Sequence, residues 1–235
     1  MPTKQLTGST ARWGEAQLEP LKQGDIAYFR LRNKIIGLEL EPGDHVDELS
    51  LSKLLDMGRT PIREALQRLA QDNLVTIIPR KGTTIAPINL TELREVSELR
   101  WELDTLSARW AAERADSASI HVLEEFIDEI TRTEFTSRHH HVEADRYFHL
   151  QIARAAANRY LVGSIDQLFN HSVRLFNASG AEMASAGEEL QDYRNILGAL
   201  QAGDADAAVR AMQFHLQDAR KRVASAYGMA FAPAS

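Results

Sequence analysis

No cysteine occurs in this 235-residue chain, and that one absence removes disulfides, thiol nucleophiles and thiolate zinc sites together. Any metal must therefore be held by nitrogen and oxygen. Long hydrophobic runs are missing too. Nothing approaches the roughly 20 apolar residues of a membrane-spanning helix, and Met1 to Thr7 lacks the apolar core of a secretion signal. A cytoplasmic protein with no membrane partner is expected. Positive charge is scarce, with 27 Lys and Arg against 33 Asp and Glu for a net −6, which at face value argues against a nucleic-acid binder. From residue 92 onward there is no strand-like alternation, so a sheet is not expected in the larger part of the chain. His-Glu-x-x-His, nucleophile-elbow and phosphate-loop motifs are also lacking, which leaves the common signatures of hydrolysis unrepresented.

The hydrophobic content, 44%, is ample for a buried core, and the length suits two domains. Charge is divided unevenly between them. Residues 24–90 carry nine residues of each sign, whereas residues 91–235 carry 15 basic against 22 acidic. The acidity belongs to the second half. Residues 1–23 mix Gly, Ser, Thr, Lys and Gln without periodicity and read as a flexible arm.

The most telling stretch runs from Gly58 to Leu69. Thr60 is a candidate cap and Pro61 a first helical residue, where a missing N–H costs nothing. Ile62, Ala65, Leu66 and Leu69 form an apolar stripe at helical spacing, leaving Arg63 and Gln67 on the opposite face, with Arg59 just ahead of them. Arginine at a helix start is electrostatically poor, because the helix dipole already places positive charge there, so an anionic partner is implied. DNA phosphate and the O6/N7 edge of guanine fit that need. Upstream, Asp47 caps a short helix ending near Asp56, and Met57-Gly58 supplies a turn, which is helix-turn-helix spacing. An earlier helix stops at Gly37. Downstream, Leu74 to Ile78 and Gly82 to Ile85 flank Pro79-Arg80-Lys81, a hairpin with a basic tip. Between Arg59 and Lys81 there are five positive residues against two negative, enough to release counterions but a modest patch for one copy. Two copies on a two-fold-related site are expected.

From Glu92 the chain reads as six helices, near 92–110, 117–136, 142–156, 159–176, 187–202 and 204–227, a bundle whose ligand sites lie between facing helices. The fold class is thus mainly α: an arm at 1–23, a winged helix-turn-helix at 24–90 and an all-helical bundle at 91–228. Within the bundle, Asp145 and His149 stand four apart on one helix face, a spacing that lets a carboxylate and an imidazole share a metal. His215 lies on the last helix among apolar neighbours. The run His139-His140-His141 cannot converge on one site, since adjacent residues point apart on a helix, and reads as a solvated junction.

The segment Gly58-Arg59-Thr60-Pro61-Ile62-Arg63-Glu64-Ala65-Leu66, continuing through Leu69, Leu74-Val75 and Gly82, closely resembles the winged-helix domain of the GntR family of bacterial transcription regulators. The resemblance implies that Arg59 and Arg63 contact bases or phosphates, that Thr60 holds the DNA backbone and that Gly82 lies at the minor groove. Some relatives carry a further DNA-contacting arginine where this chain has Leu49. The rest, about Leu93 to Val223, resembles the FCD domain of the FadR branch. That likeness implies a divalent metal held by Asp145, His149 and His215, with Tyr193 standing where the family usually has a fourth, histidine ligand. A neutral phenol, with its pKa near 10, is a poor ligand at neutral pH. Zinc, nickel and manganese all suit nitrogen and oxygen donors. Arg100 matches a common arginine of the first FCD helix, and with Arg174 and Tyr193 it is a candidate effector-binding residue. Asn158 is read as a cap, and His171 as a substitute ligand.

Three functions fit these residues. The first is a non-enzymatic, ligand-responsive repressor: a homodimer on a palindromic operator in double-stranded DNA, with a small carboxylate effector in the bundle. The second is a metal-dependent hydrolase built on Asp145, His149 and His215. An architectural DNA binder without effector is the third.

Overall fold

The computed structural model describes residues 22–80, 82–133 and 137–228. The expected arm at 1–23 and the tip residue Lys81 lie almost wholly or wholly outside that set. The first unit comprises α1 (Gln23–Ile36), β1 (His45–Val46), α2 (Glu48–Leu55), α3 (Arg59–Gln71), β2 (Val75–Ile78) and β3 (Gly82–Ile85). Ala27, Leu31 and Ile35 of α1 meet Leu51 and Leu55 of α2 and the Ile62, Ala65, Leu66 and Leu69 stripe of α3 in one core, closed by Leu74, Val75 and Ile85. Burial of that stripe turns Arg59, Thr60, Arg63 and Gln67 outward to solvent.

Local chemistry differs from the sequence reading at three points. Gly58, not Thr60, is the N-cap of α3, and it supplies no side-chain bond. Pro61 is therefore the third helical residue, which is tolerated because the first four N–H groups of a helix lack helical partners anyway. The turn before α3 is made by Asp56, which takes the left-handed conformation (φ 52°) at the end of α2; Gly58 does not need its freedom. Lastly, β1 joins the hairpin as a third antiparallel strand, in the order β1-β3-β2. Its two residues are too few to register as a period-two pattern. The β2–β3 register pairs Ile78 with Gly82, and Pro79 and Arg80 turn away from the end of β2. Gly82 sits at φ +107°, a conformation that other residues rarely adopt.

The second unit holds α4 (Leu90–Arg114), α5 (Ser117–Arg132), α6 (Arg138–Ala155), α7 (Arg159–Ser179), α8 (Ala186–Ala202) and α9 (Ala205–Ala226). Side chains cap each of these helices at the N-terminus: Asn89, Asp116, Ser137, Asn158, Ser185 and Asp204. These caps fix where the six helices begin; α5 ends at Arg132, short of the expected 136, and α6 starts at Arg138, ahead of the expected 142. The bundle core gathers Phe126, Ile127, Phe148, Ile152, Tyr193, Ile196 and Met212, among others. Among the described residues no helix is long and apolar enough to cross a membrane.

Helix α7 joins the two units. Its Asn177 Nδ2 donates to the Ile36 carbonyl at the end of α1 (2.8 Å), and His171 Nε2 donates to the Asp72 carbonyl at the end of α3 (2.8 Å). Arg174 donates to the carbonyl of Ala86, just beyond β3. Beside these, Arg32 of α1 meets Glu143 of α6 at 3.4 Å, both nearly dry. Burial, then the neighbouring Arg146 guanidinium, pushes Arg32 down to about 10, against the pull of Glu143 and Asp166. No long linker separates the halves, and charged groups are buried where they meet.

Candidate nucleic-acid interface and metal centre

The candidate DNA-contacting residues described in the first unit are all exposed. Arg59 and Thr60 form the first turn of α3, Arg63 and Gln67 continue the same face, and Arg80 stands exposed on the hairpin tip beside Gly82. Arg68, one of the five positive residues in this stretch, is committed elsewhere. Its guanidinium bonds Asp25 (2.6 Å) and lies over the Tyr28 ring at 4.0 Å, tying α3 to α1. Arg63 has a partner that sequence reasoning missed: its Nε and Nη2 donate to the two carboxylate oxygens of Glu48 at 2.7 and 2.8 Å. Fifteen residues separate the pair, and only the turn between α2 and α3 brings them together.

In the bundle, α6 and α9 bring Asp145, His149 and His215 together, as the spacing and the family resemblance suggested. His149 Nε2 and His215 Nε2 are 3.2 Å apart, and Asp145 Oδ1 lies 3.5 Å from the first and 3.4 Å from the second. These three donors make a nearly equilateral triangle. A tetrahedral metal with bonds of about 2.0–2.1 Å separates its ligands by roughly 3.3 Å, so the triangle has the right edge. The outer partners agree with that use. His149 Nδ1 donates to buried Asp104 (2.9 Å) and His215 Nδ1 to Asp192 (3.3 Å). Each ring is thereby left with its Nε2 facing the shared centre, the usual arrangement around a ligating histidine.

The electrostatics point the same way. Burial disfavours charge on His215, yet hydrogen bonds to Asp145 and Asp192 push its pKa up to about 10. Burial and the nearby Asp145 raise Glu189 to about 8. Burial also works against the Asp145 carboxylate, but the adjoining His149 and His215 hold its pKa well below the usual range. These shifts share one origin, carboxylates crowded around two buried imidazoles, and a dication would be held by the same field. Tyr193 of α8 stands beside the triangle as a donor to one of its corners. Its hydroxyl bonds Asp145 Oδ1 at 2.9 Å, and its ring packs on Phe148 at 4.1 Å. Burial and the neighbouring carboxylates drive the phenol's pKa upward, so it remains protonated at neutral pH.

A cavity of about 150 Å³ adjoins this centre, with Arg100, Asp145, Phe169 and His215 on its wall. Arg100 Nε donates to Asp104 (2.9 Å), its Nη2 comes within 3.4 Å of His149, and its plane lies over the Phe169 ring at 4.7 Å. It is therefore both internally paired and exposed to the cavity. The other two effector candidates stand differently. Arg174 is buried at the junction with the first unit and is not on the cavity wall; Tyr193 is also off the wall, behind Asp145 and His215. His171 does not substitute for a ligand, because its Nδ1 faces Glu92 (2.7 Å) and its other nitrogen faces Asp72 at the junction. One residue of the histidine run does join the site. His141 is buried and its Nε2 meets the Glu189 carboxylate. It precedes Asp145 by four residues, the same helical step that links Asp145 to His149, and that spacing was the available signal.

Residues 24–85 match the profile described as "Bacterial regulatory proteins, gntR family", and residues 95–218 match that of the FCD domain. The HTH-type transcriptional repressor RspR of Escherichia coli strain K12 is 28% identical over 214 residues, covering 89% of this chain and 92% of the relative. The HTH-type transcriptional regulator McbR of the same strain is 26% identical over 171 residues, 70% of this chain and 76% of that one. Among solved structures, E. coli McbR/YncC superimposes with a TM-score of 0.76 at 21% identity, covering 88% of this chain and 99% of that structure. Nothing among these matches supports a hydrolase.

Proposed function

Because the chain belongs to the GntR family of bacterial transcription regulators, with an FCD domain as its second half, we propose that it is a homodimeric repressor released from a palindromic operator by a small carboxylate. Arg59, Thr60, Arg63 and Gln67 would enter the major groove, with Arg80, Lys81 and Gly82 of the wing beside them. The repressor sense rests on the similarity to RspR, a transcriptional repressor. The cavity carries the effector reading: an arginine and a prospective metal centre share one small chamber, as anchoring a carboxylate from two sides requires. That chamber also weighs against a purely architectural role.

Asp145, His149 and His215 would hold a zinc, nickel or manganese ion, which when bound supplies a Lewis-acidic charge for an effector oxygen. The rest is the work of the chain's own groups. Arg100 orients the acid, Asp104 and Asp192 keep the two imidazoles facing inward, and Phe169 closes the floor. Phe169 is also the coupling element. It sits on α7, which further along its length holds the ends of α1 and α3 through Asn177 and His171. An effector that moves this helix alters how the two reading heads are set.

The test is a mobility shift on duplexes from the regulator's own promoter region, repeated with small carboxylates and with a chelator. Retarded dimer complexes, released by at least one carboxylate and insensitive to it once chelated, are expected. A monomer, or a protein that ignores every duplex, overturns the proposal. Release that is unchanged by chelation removes the metal from it.

A further inference from the structure

We propose that Glu48 is a positioning residue that makes Arg63 a reader of guanine rather than an anchor for phosphate. The inference rests on the reading above that Arg63 faces DNA.

Arg63 and Arg59 both project from the start of α3, but they are not equivalent. Arg59 makes no hydrogen bond or ion pair among the described residues, whereas Arg63 is gripped along one edge, Nε and Nη2, by both oxygens of Glu48. The Glu48 carboxylate is itself well placed. It is the first residue of α2, and Asp47 fastens that helix end by accepting from the Leu49 and Ser50 N–H groups at 2.8 and 2.9 Å, with the Ser50 hydroxyl bonded back. A side chain 64% exposed would otherwise sample many rotamers. Here its plane is set by a helix terminus on another element.

Two consequences follow from the edge that is used. The Nη1 end remains open, and with the outer hydrogen of Nη2 it forms the fork that matches guanine O6 and N7. The carboxylate also offsets much of Arg63's net charge, so the pair is a weaker ligand for phosphate than an unpaired arginine. Directional hydrogen bonding survives that offset, while point-charge attraction is weakened. Arg59, without such a partner, is left as the phosphate contact.

The experiment uses the full chain. A randomised duplex library with two half-sites is selected against the native protein. The winning duplex, and its single-base variants, are then titrated by fluorescence anisotropy at several salt concentrations with the native protein, Glu48→Ala, Glu48→Gln, Arg63→Ala and Arg63→Lys. We expect one guanine per half-site whose replacement by adenine is penalised by the native protein. Glu48→Ala should lose roughly tenfold of that discrimination at this base pair alone. It should also bind random duplex more tightly, with a salt slope steeper by about one. Opposite changes in specificity and non-specific affinity are not what a merely structural contact produces, and Glu48→Gln, which keeps the shape and one acceptor, covers the case in which the alanine variant misfolds. Unchanged discrimination at every position overturns the proposal, as does a uniform gain in affinity, which would make the pair a resting latch that DNA opens. If Arg63→Ala leaves selection untouched, the underlying placement of Arg63 fails instead. Loss with Arg63→Ala but not with Glu48→Ala or Glu48→Gln sinks only the role of Glu48.

Discussion

The reading head and the helical bundle keep their charges under opposite conditions. In the first unit the functional guanidinium groups stand in water at the start of α3, and the one partner, Glu48, is itself part-exposed. In the bundle, Asp104, His149 and His215 are buried, and each is hydrogen-bonded to another member of the same network. Surface charges cost little to hold and are free to exchange water for a large anionic partner. Buried charges must be matched in place, and removing one leaves its partner stranded in a poorly solvated interior. The first unit is therefore built to meet another macromolecule, and the second to enclose something small. At the junction the two regimes meet, with Arg32 and Glu143 buried between them.

This contrast can be broken by substitution. The largest effect should come from Glu143→Ala, which removes the carboxylate paired with Arg32 and leaves the buried guanidinium with the neutral Asn33 Oδ1 as its acceptor (3.0 and 2.7 Å); it should lower stability by about 3 kcal/mol in chemical denaturation. A loss under 1 kcal/mol would mean that water reaches the junction freely. Next in size, Arg63→Ala should weaken operator binding roughly ten- to hundredfold per half-site while leaving the melting temperature and dimer intact. A melting temperature that drops as far as in the Glu143 variant would place Arg63 in the folded core, against its exposure. Tyr193→His sharpens the comparison from the other side. An imidazole in place of the protonated phenol should tighten zinc binding by about tenfold, read by competition with a chromophoric chelator; equal affinity would show that residue 193 is not at a ligand position. The smallest change is expected from Asn89→Ala. Its side chain accepts from the Glu92 N–H at 2.7 Å where the bundle begins, and its loss should cost about 1 kcal/mol, with DNA affinity at saturating metal unaffected.

Much of this arrangement can be recognised in the chain without coordinates. The α3 stripe, the Asp47 and Asn158 caps and the six bundle helices follow from residues close together in sequence, where helical period and capping act locally. Asp145 and His149 are legible for the same reason, being one turn apart. His215 could be placed with them only through the family likeness, because 66 residues separate it from His149. The mistakes have a common cause. Arg68 looked like part of the basic patch, yet Asp25 and Tyr28 claim it from α1. Arg174 looked like a cavity residue, yet it faces Ala86 across the junction. His171 looked like a spare ligand, yet Glu92 and Asp72 take both of its nitrogens.

What the amino-acid order determined alone is the kind of protein this is: where helices begin and end, which face of each is apolar, and the signature that ties it to its family. Those properties arise from interactions over a few residues. Which arginine is free and which is engaged, which histidines share a centre, and how the bundle grips the reading head were decided only when distant segments packed. A charged side chain answers to whatever acceptor lies within about 3 Å of it, and neighbours at that range come from the tertiary fold.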